Sequence, residues 1–124
     1  MAAGPVAGLA VTIRAECGYT VAALTGKLDL AAAPALREQL WRILRPAASR
    51  LVIDLSEVSH ADVSGITVMV GTGRRARLLG GFLRLAAPAP AVTAALRATG
   101  LSEHFDIYPT VVAAISGSAL AVPR

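Results

Sequence analysis

The chain has 124 residues, 55% of them hydrophobic and only 16% charged, with a formal net charge of +4 at pH 7. That supplies one folded core and excludes a disordered chain. The longest low-charge stretches, near residues 1–13 and 111–123, are interrupted by Gly, Pro or Ser and fall short of the ~20 apolar residues of a spanning helix, so no membrane insertion is expected.

No basic segment precedes an apolar run at the start, so no secretory signal is read and a cytoplasmic location is expected. The single Cys17 cannot form an internal disulfide, which fits a reducing compartment. Residues 1–8 are small and punctuated by Gly and Pro, the signature of a flexible N-terminal segment, and the folded domain is expected over 9–120.

Residues 9–16 alternate apolar and polar side chains, Cys17-Gly18 turns the chain, and 19–24 returns, which predicts a hairpin. Gly26-Lys27-Leu28-Asp29 then leaves the sheet. Pro34 suits a helix start, and Leu36, Leu40, Ile43 and Leu44 form the apolar stripe of a helix ending near Pro46. Trp41 falls opposite that stripe and is either a partial lid over a neighbouring helix, the favoured reading, or an exposed contact.

The run 51–55 is too short for a helix and rich in branched residues, which predicts a strand buried on both faces. A loop and a second helix follow, with Asp62 as N-cap and Gly80-Gly81 as the stop signal. At about 100° per residue, Ile66, Met69, Val70, Gly73 and Ala76 face the sheet, while Ser64, Val68, Gly71 and Arg75 share the outer face. A hydroxyl, an apolar spot, a glycine and an arginine together on that face predict a docking surface. Residues 82–86 form a further strand, and a short helix spans 90–98 with Val92, Ala95 and Leu96 inward and Gly100 just past its end. A small edge strand at 105–108 and a last helix at 111–116 complete the pattern, with any continuation to Leu120 weakened by Gly117. The fold class is therefore α/β, a mixed sheet with helices mainly on one face.

Catalysis fails on inventory. His60 and His104 stand far apart with no metal-ligand spacing, and neither a nucleophile elbow nor a phosphate loop is present, so no enzyme, metal or cofactor is expected. Arg74, Arg75 and Arg77 are explained by the helix macrodipole or by an acidic protein partner. Direct nucleic-acid binding is not expected, because no reading motif accompanies the basic residues and few aromatics could stack bases.

The runs Asp54-Leu55-Ser56-Glu57-Val58 and Asp62-Val63-Ser64-Gly65-Ile66, with Gly71 and the basic turn ending in Gly80-Gly81, resemble the STAS domain of bacterial anti-sigma factor antagonists. Leu24-Thr25-Gly26-Lys27-Leu28-Asp29 and Thr99-Gly100-Leu101 with Phe105 extend the resemblance over nearly the whole chain. It implies a single STAS-like domain that binds an anti-sigma factor of the ATP-binding serine kinase type and so releases a sigma factor, acting as a monomer or weak homodimer.

The family pattern has a phosphorylated serine directly after the second aspartate, and this chain has Val63, which cannot accept a phosphoryl group. The resemblance implies a partner-binding face of Asp29, Asp62, Val63, Ser64, Val68 and Arg75, kept uncharged at Val63, with Ser64 as the possible phosphorylation site. Lys27 replaces the usual glutamate of that surface. Ala32 stands where the family often has a capping threonine, so the first helix should fray there by about 1 kcal/mol. Two other functions fit the same resemblance: an accessory subunit of a membrane transport ATPase, and a small-ligand-sensing module.

Overall fold

The computed structural model describes residues 2–6 and 8–117. Six strands lie in one sheet in the order of the chain: β1 (Ala2–Val6), β2 (Leu9–Glu16), β3 (Tyr19–Leu28), β4 (Arg50–Ala61), β5 (Phe82–Ala86) and β6 (Asp106–Tyr108). The first three are antiparallel and β3 to β6 run parallel, so the sheet is mixed. Parallel neighbours need crossovers, and these are α1 (Ala33–Ile43), α2 (Val63–Leu78) and α3 (Pro90–Thr99). Strands added in one direction with one hand of crossover bring all three helices to one face. A short α4 (Val111–Ser116) covers part of the other face.

Two cores follow from the alternation of strand side chains. Leu24, Leu51, Ile53, Leu55 and Leu85 point toward Leu36 and Leu40 of α1, Ile66 and Met69 of α2, and Val92 and Leu96 of α3. Val21, Val52, Ala86 and Tyr108 point the other way, against Ala114 of α4. Arg84 lies on this second side, where its guanidinium donates to the Ala114 carbonyl at 2.7 Å and to the Tyr19 hydroxyl at 3.2 Å.

The hairpin is where the sequence places it. Cys17 and Gly18 both take positive φ, 52° and 82°, which is the backbone of a type I′ turn. The helices also match: α1 has Pro34 in its first turn and carries buried Leu36 and Leu40, α3 buries Val92, Ala95 and Leu96, and Gly100 closes α3 at φ 70°. The continuation of α4 toward Leu120 lies outside the described residues.

Four expectations need correction. The backbone of Ala2–Val6 pairs antiparallel with β2, so this stretch joins the sheet and supplies partners for an otherwise open edge. Gly26-Lys27-Leu28 stays in the sheet, because β4 runs on to Ala61 beside it through two register shifts. Those bulges break the two-residue alternation, which is why the strand reads as a loop after Leu55. Ala32 is fully buried, and the missing cap of α1 is supplied one turn earlier: Asp29 Oδ1 accepts from Ala32 N at 3.1 Å and the Asp29 carbonyl from Ala33 N at 3.0 Å.

Candidate partner-binding site at the start of the second helix

The carboxyl ends of β3 and β4 lie side by side, with Leu28 opposite Ala61. The chain leaves β4 through Asp62, whose N–H donates to the Leu28 carbonyl at 3.1 Å, and enters α2. Asp62 ties two segments together with one side chain. Its Oδ1 accepts from Ser64 N at 2.9 Å and Gly65 N at 3.4 Å, and its Oδ2 accepts from Leu30 N at 3.3 Å. The first pair satisfies helix N–H groups that have no internal partner, while the third holds the β3–α1 turn against the helix start.

Gly65 is required by the same packing. A Cβ there would run into the carbonyl and side chain of Leu28, so only glycine lets the first turn of α2 sit on the end of β3. The result is a rigid corner with two apolar side chains turned outward. Val63 is 55% exposed and Leu30 is 70% exposed, one following Asp62 in the chain and the other hydrogen-bonded to it. Asp29 and Asp62 stand at this corner, with Lys27 and His60 paired one position earlier on β3 and β4.

The proposed face divides in two. Asp29, Asp62, Val63 and Ser64 gather at the corner, but both aspartates spend carboxylate oxygens on backbone N–H groups. Ser64 is half-buried and rotated about 100° from Val63. Val68 and Arg75 lie farther along α2 and face α1. Val68 lines a concavity of about 430 Å³ with Pro34, Arg37, Trp41, Thr67 and Gly71, and the Arg75 guanidinium rests 4.9 Å from the Trp41 ring centroid.

Of the two sequence readings of Trp41, the structure gives the lid over α2. The indole edge lies 4.0 Å from where a Cβ at Gly71 would stand, an ordinary packing contact. Arg37 stacks on the same ring at 4.5 Å. Leu30 is the residue that the sequence reading misses. Its signal is a second leucine two positions after buried Leu28, which in an alternating strand would be buried as well, but the strand ends between them.

A STAS domain model matches residues 10–114. The chain belongs to the STAS domain family. It is 34% identical over 84 residues to the anti-sigma-B factor antagonist of Bacillus subtilis, a match that spans 68% of this chain and 76% of the relative. It is 25% identical over 111 residues to the anti-sigma-F factor antagonist RsfB of Mycobacterium tuberculosis, covering 88% of each. The crystal structure of an anti-sigma factor antagonist from Mycobacterium paratuberculosis superposes with a TM-score of 0.78 at 27% identity, covering 88% of this chain and 92% of that one. No helix among the described residues is long and apolar enough to cross a membrane.

Proposed function

We propose that this STAS domain is an anti-sigma factor antagonist whose docking surface is the corner at the start of α2, and that it works without a phosphoserine switch at that corner. The observation that carries the reading is Val63: the residue after the capping aspartate is more than half exposed on a rigid helix start, and it has no hydroxyl. The similarity to antagonists of two anti-sigma factors supports the role.

The partner is an anti-sigma factor of the ATP-binding serine kinase type. Its contact surface presents an apolar recess for Val63 and Leu30 and basic groups for the surrounding carboxylates. In such a complex the sigma factor is released because the anti-sigma factor is occupied. A phosphoryl group at residue 63 would place about two negative charges in this apolar contact and break it, and valine removes that possibility. Ser64 is the nearest hydroxyl in sequence and its first-turn position suits a phosphate. Its different azimuth would leave the Val63 contact itself uncharged.

A tagged pull-down from the native cells, with partners identified by mass spectrometry and the bait weighed intact, tests this. An ATP-binding anti-sigma factor recovered with unmodified bait is the expected result. A bait phosphorylated on Ser64 and recovered without the anti-sigma factor would contradict the absence of a switch at this corner, and recovery of a transport ATPase subunit instead would overturn the reading.

A further inference from the structure

Five arginines, Arg14, Arg42, Arg45, Arg50 and Arg77, gather at the end of the sheet opposite the Asp62 corner. The Asp62 corner occupies the end where β3 and β4 finish. The opposite end is built from the Cys17-Gly18 turn, the loop between α1 and β4, and the close of α2, where Gly80 meets Gly18 and Arg50 around one hollow. Arg14, Arg42 and Arg45 surround a second hollow there, of about 470 Å³, floored by Ile13, Ile43 and Ala48. Arg77 lies in the last turn of α2.

Two of these guanidinium groups meet carboxylates, Arg14 with Glu16 at 3.0 Å and Arg42 with Glu38 at 2.6 Å, both on the exposed surface where screening leaves such pairs weak. Arg45, Arg50 and Arg77 are exposed and form no ion pair among the described residues. At the edge of this pole is Leu78, which at 81% is the most exposed large hydrophobic side chain among those described.

We infer that this arginine pole is a peripheral docking surface for an anionic lipid membrane. Clustered guanidinium groups are drawn to a negatively charged leaflet, and an exposed leucine beside them can enter the boundary between headgroups and acyl chains. Nucleic acid would satisfy the charges, but it offers nothing to Leu78 or to the apolar floor between Arg14, Arg42 and Arg45. The one-sided placement of the arginines also sets orientation, because a negative surface attracts that pole first. A chain seated in this way turns Val63 and Leu30 toward the solvent. Membrane contact and partner docking then use opposite ends and proceed together.

Sedimentation of the full chain with vesicles tests the inference. At low salt the chain is expected to pellet with vesicles of equal parts phosphatidylglycerol and phosphatidylcholine, roughly tenfold more than with phosphatidylcholine alone, and to be released as salt is raised. The triple variant R45Q/R50Q/R77Q changes only exposed side chains, so its melting transition should stay in place while the vesicle-bound fraction falls to the phosphatidylcholine level. L78S should weaken binding and leave the salt dependence. Equal uptake by both vesicle types, no uptake by either, or full binding by the folded triple variant would overturn the proposal. Retention on a random-sequence DNA duplex, unaffected by L78S and without uptake by vesicles, would assign the pole to nucleic acid and also overturn it.

Discussion

The Asp62 carboxylate and the backbone N–H of Leu30 are joined by a 3.3 Å hydrogen bond between residues 32 apart in the chain. The same carboxylate caps α2, so removing it costs the cap and frees the turn that carries Leu30. D62A should lower stability by about 1–2 kcal/mol, the upper part of the range for a lost N-cap, as read by urea unfolding. D62N keeps an acceptor oxygen and should recover most of that loss.

Gly65 has no space for a side chain, because a Cβ would run into Leu28. G65A should therefore destabilise by about 1–3 kcal/mol through overpacking, even though alanine is the better helix former. Thermal unfolding monitored by circular dichroism separates the two effects. A rise in melting temperature would show that the corner is looser than its geometry implies.

How much of this was legible in the sequence depends on how locally each feature is encoded. The caps were legible, because Asp62, Gly80 and Gly100 act on backbone groups within a few residues. The stripes of α1 and α3 were legible because their faces meet a single layer. The extension of β4 to Ala61 was not, since bulges at both shifts hide its alternation. The outer face of α2 reads from sequence as one docking surface because periodicity gives direction but not neighbours. Only the fold shows that Val68 and Arg75 meet Trp41 and Leu30 stands beside Val63. The role of Asp29 was visible as a candidate, but its work as a cap became clear only from Ala32 being buried.

The hairpin offers a stabilising change. Cys17 holds φ at 52° in a two-residue turn, a conformation that costs a residue with an ordinary Cβ about 1 kcal/mol and suits asparagine. C17N should raise stability by roughly 0.5 kcal/mol and remove an exposed thiol, with no change in partner binding. Equilibrium unfolding in denaturant measures the difference.

On the other face of the sheet, Arg84 fastens α4 through the Ala114 carbonyl and stacks 4.2 Å from the Phe82 ring centroid. R84M keeps apolar bulk and loses the donor, for an expected cost of about 1.5 kcal/mol. Faster amide exchange confined to α4 would place that loss at its docking contact. Uniform acceleration through the sheet would point to global loosening instead.

The docking claim rests on Val63. The direct measurement is the affinity of the anti-sigma factor recovered in the pull-down for three forms of this chain: unaltered, V63E and V112E. Val112 is also exposed, at 71%, but lies on α4 across the sheet, so it controls for a new surface charge. The predicted result is that V63E weakens binding at least roughly tenfold, equivalent to ~1.4 kcal/mol, while V112E binds like the unaltered chain. Equal affinities for all three would contradict a docking surface at the start of α2.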